Sequence, residues 1–228
     1  MQLSESTRLA VKVWGDLACF TRPEMKVERV SYPVMTPSAA RGVLEAIFWK
    51  PEFQWRVREI HVLKPIQHFS IVRNEVNSKA SDRAARDWVR EGGAYLADED
   101  RAQRHSVVLR DVAYIIEAEM ELAEHARDEH PAKYRDQFRR RVSRGQCHSA
   151  PYLGCREFSA SFGPMGEADR PFDISMDLGM MLFDLDYAPD GSGRGTPRFF
   201  EARLEHGVLR VPPDLYRMEV SHAAPEAA

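Results

Sequence analysis

The order in which two periodicities alternate along this chain constrains its fold more than any other feature. Arg8-Leu-Ala-Val-Lys-Val-Trp14 sets Leu9, Val11 and Val13 against Arg8, Ala10 and Lys12, the period-two pattern of a strand. From Thr36 the period changes. Ala40, Val43, Leu44, Ile47 and Phe48 follow the i, i+3, i+4, i+7, i+8 stripe of a helix with one buried face. Thr36 suits the N-cap, and Pro37 suits the first helical position, where no N–H is needed. Pro51 marks the stop. Phe48 lies at the edge of the stripe beside Arg41, where a side chain can meet both a core and a ligand.

Strand patterns then return. Phe53 to Ile66 reads as a long strand closed by Pro65. Residues 73–105 are a polar interruption with seven Lys or Arg and seven Asp or Glu, which implies an excursion with structure of its own. Ser106 to Leu122 alternates Ala118, Met120 and Leu122 with Glu117, Glu119 and Glu121, a half-buried antiparallel signature. Pro131 to Arg144 is a second helix, with Gly145 just past its end. Tyr152 to Phe162 reads as a further strand. The order β-α-β-β-α-β predicts an α+β chain with a ferredoxin-like (RRM-like) N-terminal domain over 1–162, carrying the excursion at 73–105. That fold hosts many functions and does not by itself specify one.

A small antiparallel β-sheet domain is expected over 163–220. Met181, Phe183, Leu185 and Tyr187 alternate with Leu182, Asp184 and Asp186. Phe199–Leu204 and Val208–Val211 flank His206-Gly207 as a hairpin would. Residues 221–228 are expected to be a disordered tail.

With 228 residues, 43% hydrophobic and 29% charged, a folded protein with a real core is expected. No apolar run approaches the roughly 20 residues that span a bilayer, and the N-terminus lacks a signal-peptide pattern. No membrane partner is expected. Three cysteines without a C-x-x-C pair fit a reducing cytoplasm better than a disulfide framework. Cys147, His148 and Cys155 match no standard zinc spacing, so no metal or cofactor is expected. There is no P-loop, G-x-G-x-x-G after a strand, H-E-x-x-H or G-x-S-x-G, so nothing supports an ATPase, dehydrogenase, zinc-protease or α/β-hydrolase reading.

The second helix carries the strongest chemical signal. Lys133, Gln137, Arg140, Arg141 and Arg144 fall within about a third of its circumference, beside an apolar seam of Tyr134, Phe138 and Val142. Like charges this close repel unless an anion lies opposite. Phosphate is the natural candidate, because arginine forks match its geometry. A solvated face balanced by Asp136 is the plain alternative. The net charge of −3 restricts nucleic-acid binding to a local patch and makes non-specific duplex DNA a secondary option.

Five blocks occur in a fixed order: Val13-Trp-Gly-Asp-Leu-Ala-Cys-Phe-Thr-Arg-Pro-Glu-Met-Lys26, Tyr32 to Pro51, His61-Val-Leu-Lys-Pro-Ile66, Arg73-Asn-Glu-Val76 and Leu153-Gly-Cys-Arg-Glu-Phe158. Together they resemble the CRISPR-associated Cas-five family, d subtype, of subtype I-C systems, over about residues 8 to 211. The resemblance implies a ferredoxin-like domain followed by a small β-sheet domain. It implies metal-independent cleavage of precursor CRISPR RNA within each repeat. The product's 5′ handle would stay bound, with the protein becoming a subunit of a surveillance complex beside its backbone and large subunits.

The resemblance also implies a catalytic aromatic or imidazole group at the end of the first helix and a Lys-His pair near the second. These positions are Phe48 and Lys133-Tyr134 here. The lysine is kept, the histidine is replaced by Tyr134, and Phe48 has no proton to transfer. Tyr134 can supply an O–H, and serves as a base only if Lys133 and nearby arginines depress its pKa. For the handle, the expected contacts are Arg22, Lys26, Arg41, Lys50 and Arg73, with Arg140, Arg144 and Arg156 as further candidates. A handle-binding structural subunit with little or no nuclease activity is the alternative, motivated by Phe48 and Tyr134.

Overall fold

The computed structural model describes residues 8–78, 81–188 and 193–222. Strand β1 (Leu9–Ala18) runs as its alternation requires, with Leu9, Val11 and Val13 buried. Helix α1 (Pro37–Ile47) starts where expected: Thr36 is extended, and its side chain accepts a hydrogen bond from the Ala39 N–H. It ends earlier than Pro51 would dictate, because Phe48 already has extended backbone, φ −153° and ψ 114°. The buried face of α1 is Ala40, Val43, Leu44 and Ile47.

Strand β2 (Phe53–Val62) follows, with a register shift between Val57 and Glu59 where it pairs with the later central strand. The polar interruption is an arm. It is built from β3 (His68–Val76), helix α2 (Asp82–Glu91) and the first part of β4 (Arg101–Leu122). α2 buries no residue, and β3 has none fully buried. Trp88 and Tyr95 stack at 5.9 Å, giving the arm a local apolar contact.

β4 is the central element, 22 residues long. Its first residues pair with β3, from Arg101↔Val76 to Leu109↔His68; its later residues run between β1 and β2. Asp111, in the left-handed region at φ 51°, lies between the end of the β3 pairing and the start of the β2 pairing. Aspartate tolerates that conformation better than most residues.

Helix α3 (Pro131–Arg144) matches the sequence reading, and Gly145 ends it in the left-handed region at φ 63°. The strand expected over Tyr152–Phe162 is corrected: β5 is only Ser161–Gly163. Before it the chain folds on itself, with Leu153 N–H donating to Phe158 C=O at 2.7 Å and Phe158 N–H to Cys155 C=O at 3.0 Å. Gly154 has φ 84°, and a Cβ there would stand 2.1 Å from the Cys19 carbonyl oxygen. The loop therefore lies tight against the end of β1.

β6 (Met176–Tyr187), β7 (Gly195–Glu205) and β8 (Val208–Arg210) complete the chain. His206 and Gly207, both with positive φ, form the expected two-residue hairpin between β7 and β8. Residues 189–192 of the expected Gly/Pro loop and 223–228 of the expected tail lie outside the described residues. Ser221 belongs to a 3₁₀ segment, Pro213–His222.

The result is a mixed α and β architecture dominated by one curled antiparallel sheet, ordered β5-β1-β4-β2-β8-β7-β6, with few helices. β8 pairs with β2, so the C-terminal hairpins extend the first sheet. Tyr216 reinforces that joint. Its hydroxyl donates to Val57 C=O at 3.0 Å, and Arg56 and Arg58 lie 4.8 and 5.6 Å from its ring. α1 and α3 contact each other and cover the same sheet.

Candidate functional site

The seam of α3 decides where its polar residues point. Tyr134, Phe138 and Val142 are buried, and two of the seam's contacts are aromatic, Phe53–Tyr134 at 5.4 Å and Trp55–Phe138 at 4.8 Å, with Phe53 and Trp55 themselves 5.6 Å apart on β2. Burying one such side chain contributes about 1.5–3 kcal/mol, so the helix has one favourable rotation about its axis. That rotation leaves Lys133, Arg140 and Arg144 exposed along its outer side.

Lys133 and Tyr134 converge on a residue that the sequence reading missed. Glu129 Oε2 accepts from Lys133 Nζ at 2.8 Å and from the Tyr134 hydroxyl at 2.5 Å. The Lys133 bond, then the Tyr134 bond, hold the Glu129 carboxyl below the usual carboxylate range. The same bonds push Lys133 up and Tyr134 up. This corrects the idea that neighbouring cations depress Tyr134. The carboxylate outweighs them, so the phenol stays protonated beyond its ordinary range. Tyr134 donates its O–H to Glu129 here. The positive charge of Lys50 also reaches Glu129. The only signal for Glu129 in the sequence is its place four residues before Lys133, ahead of the helix start.

Phe48 sits beneath this group and not at the surface. It is 1% exposed and packs 5.4 Å from Phe53, which in turn touches Tyr134. The structure thus brings Phe48, Lys50, Lys133 and Tyr134 into one neighbourhood. Arg141, counted with the basic face, turns inward. Its guanidinium lies 5.2 Å from the Phe48 ring and donates to Ile47 C=O at 2.9 Å. His148 and Ser149 N–H groups donate to Ala46 C=O at 2.8 and 3.0 Å. These donors satisfy carbonyls that the last turn of α1 leaves open, which explains how α1 stops before Pro51.

The other predicted RNA contacts lie elsewhere. Arg41 is held by Asp184 at 2.6 Å and Glu45 at 3.0 Å. Arg73 is held by Glu157 at 2.5 Å and Glu75 at 2.7 Å. Arg22 lies 4.5 Å from the Tyr32 ring and 3.7 Å from Glu24. Lys26 and Arg156 are exposed. Arg41 lines an open groove of about 360 Å³, together with Arg29, Thr36, Ser38, Tyr152 and Cys155. This groove runs beside the start of α1, whereas Lys133 and Tyr134 lie near its end.

Cys147, His148 and Cys155 are not brought together as a metal site. Among the described residues, the group with ligand atoms within 4.8 Å of one another is Glu59, His61 and Glu117. Arg8 stands 3.5 Å from Glu59 and 3.6 Å from Glu117, and Arg210 stands 3.7 Å from Glu59. These arginines supply the positive charge a metal would bring. No helix among the described residues is long and apolar enough to cross a membrane.

Comparison with known proteins places this geometry in a family. The family model described as CRISPR-associated protein (Cas_Cas5), Cas_Cas5d, matches residues 8–212. A CRISPR pre-crRNA endoribonuclease Cas5d from Thermus thermophilus is 48% identical, covering 95% of this chain and 98% of the relative. Another from Mannheimia succiniciproducens is 45% identical, covering 94% and 99%. Among solved structures, a CRISPR-associated protein superposes with a TM-score of 0.64 at 24% identity, over 90% of this chain and 91% of the other. A functionally uncharacterized protein from Streptococcus mutans gives 0.64 at 21% identity, over 91% and 93%. A chain of a CRISPR RNA-guided surveillance complex gives 0.50 at 14%, over 91% and 92%. The solved structures share the fold, the two relatives share the sequence along nearly its whole length, and the protein belongs to the Cas5 family of CRISPR-associated proteins, d subtype.

Proposed function

We propose that this chain is an endoribonuclease that cuts precursor CRISPR RNA within the repeat without a metal ion. It keeps the 5′ handle and joins a type I-C surveillance complex through the backbone and large subunits, in the cytoplasm. The observation that carries the reading is the joining of Lys133 and Tyr134 on one carboxylate oxygen of Glu129, in a chain 48% identical to a Cas5d endoribonuclease.

The chemistry follows from what these groups can do. The ribose 2′-oxygen attacks the adjacent phosphorus, the bond to the 5′-oxygen breaks, and a 2′,3′-cyclic phosphate remains. Negative charge builds on the phosphorane oxygens, where the Lys133 ammonium is suited to stabilise it. The departing 5′-oxygen needs a proton, and Tyr134 holds one across the neutral range. Glu129 positions both groups. Phe48 supplies the packed floor and no proton. Lys50, Arg140 and Arg144 extend the positive surface for the RNA backbone; Arg22, Lys26, Arg41, Arg73 and Arg156 would meet the handle.

The strand order β5-β1-β4-β2, antiparallel throughout and crossed by α1 and α3 on one side, supports a ferredoxin-like unit within residues 1–162. The β6-β7-β8 hairpins supply the smaller unit at 163–220. A second reading, a handle-binding subunit with weak cleavage, is favoured by the burial of Phe48 and its lack of any titratable group.

Incubation of the protein with its repeat RNA in excess EDTA separates the two. Cleavage at one site, with a cyclic phosphate end, is expected. Tight binding of RNA that stays intact for hours would overturn the nuclease reading and leave the second.

A further inference from the structure

Cys155 and Cys19 form a thiol pair that the cleavage chemistry does not use. Cys155 Sγ accepts a hydrogen bond from Arg29 Nη1 at 2.9 Å. When protonated, its thiol donates to the Cys19 carbonyl oxygen at 3.6 Å. Thr21 Oγ1 bridges the pair, 3.5 Å from Cys19 Sγ and 3.9 Å from Cys155 Sγ. The tight turn at Gly154 is what presses the two backbones together.

The two sulfurs differ in access. Cys155 lines the open groove of about 360 Å³, whereas Cys19 is 1% exposed and stands behind it. They differ in charge as well. The hydrogen bond from Cys19 and the charge of Arg29 outweigh burial and hold the Cys155 thiol below the usual thiol range, against the opposing charge of Glu157. Cys19 is pushed up, so it keeps its proton. Glu75 also faces Arg29, at 3.9 Å. Cys155, 6% exposed, is therefore the ionised sulfur at the wall of the groove, and its neighbour is a protonated thiol behind it.

We propose that Cys155 and Cys19 are a peroxide-reactive pair, in which Cys155 is the attacking thiolate and Cys19 the resolving thiol. The Cys155 sulfur attacks one oxygen of hydrogen peroxide and the O–O bond breaks. The second oxygen leaves as hydroxide and takes a proton to become water, and Cys155 becomes a sulfenic acid. The Cys19 sulfur then attacks the Cys155 sulfur, the S–O bond breaks, and the departing hydroxide takes the Cys19 proton. In sum, two thiols and one peroxide give one disulfide and two waters, with sulfur oxidised and peroxide oxygen reduced. The product ties the end of β1 to the 153–158 loop at the edge of the groove and removes the thiolate partner of Arg29.

The exposed Cys147 is an internal reference in the same chain. The full chain is treated with a small excess of hydrogen peroxide at pH 7 and examined by mass spectrometry. Expected are a loss of about 2 Da and a Cys19–Cys155 cross-linked peptide, formed at least about tenfold faster than Cys147 is oxidised. Cys19→Ser should instead gain about 16 Da at Cys155, trapped by dimedone, because no resolving thiol remains. Alkylation of the wild-type protein by iodoacetamide, which requires no variant to fold, should show Cys155 reacting with a midpoint well below that of an ordinary thiol. A disulfide through Cys147, oxidation of Cys147 ahead of Cys155, or alkylation of Cys155 with an ordinary thiol midpoint would each overturn the proposal.

Discussion

The two ends of α1 carry the same kind of charge and commit it differently. At the N-terminal end, Arg41 is gripped by Asp184 and Glu45, and its neighbour in the groove, Arg29, is spent on Cys155. At the C-terminal end, Lys133 is 61% exposed and shares one carboxylate oxygen with Tyr134. A phosphate arriving at the first site must displace two carboxylates from one cation. At the second it meets a cation whose only described ion pair is with a 38% exposed glutamate. Exposed pairs of that kind hold weakly. Counting basic residues therefore overstates the first region and understates the second.

The largest effect that would sharpen this contrast is expected from Lys133→Ala. Removing a group that stabilises phosphorane charge should lower the single-turnover cleavage rate by about 10²–10³-fold, with the RNA dissociation constant changed less than about threefold. Equal losses in both would make Lys133 a clamp and erase the distinction between the two ends. Tyr134→Phe should follow, with a rate loss of about 10²-fold if its O–H serves the leaving oxygen. Because Tyr134 is raised, its proton is lost only above the usual phenol range. Because Glu129 is lowered, its charge is lost only below the usual carboxylate range. The wild-type rate should hence show no titration from these two groups between about pH 5 and 9. A tyrosine-dependent fall near neutrality would contradict this.

Arg41→Ala should act at the other end. Its guanidinium is already held by Asp184 and Glu45, so RNA affinity measured by filter binding should fall less than about threefold. Bound RNA should still be cut at the wild-type rate. The smallest effect is expected from Phe48→Tyr. The ring is enclosed, so an added hydroxyl should cost about 1 kcal/mol of stability by denaturant titration and change the cleavage rate less than about twofold. A clear rate increase would place that ring at the reacting phosphate.

What could be read from the residues was what local physics decides. Thr36-Pro37 sets the start of α1, Pro131 and Gly145 bracket α3, and His206-Gly207 turns β7 into β8, each through a short-range rule of capping or φ. The misreadings share another cause. Residues 152–158 resemble a strand by composition, but Gly154 must pass within van der Waals contact of Cys19, which lies 135 positions away. The end of α1 is set by Arg141, 94 residues distant. Phe48 belongs to the wheel of α1 only while the helix continues, and leaving the helix carries its ring inward. Glu129 sits in a connecting segment, where no periodicity marks it. Family resemblance named Lys133 and Tyr134, but only the packing of α3 shows which carboxylate joins them.

β4 has a mechanical meaning. At about 3.4 Å per residue, its 22 residues would reach roughly 75 Å if straight, and the chain bends once along that length, at Asp111. One end is the arm, where no residue of β3 or α2 is fully buried; the other is clamped between β1 and β2 in the middle of the sheet. The arm is thus a lever whose fulcrum is Asp111, where the left-handed turn of the backbone is tied by Lys64. A pull on its tip does not dissipate in a loop. It passes into β4, whose later residues pair with β1 and β2, the strands against which α3 and α1 pack.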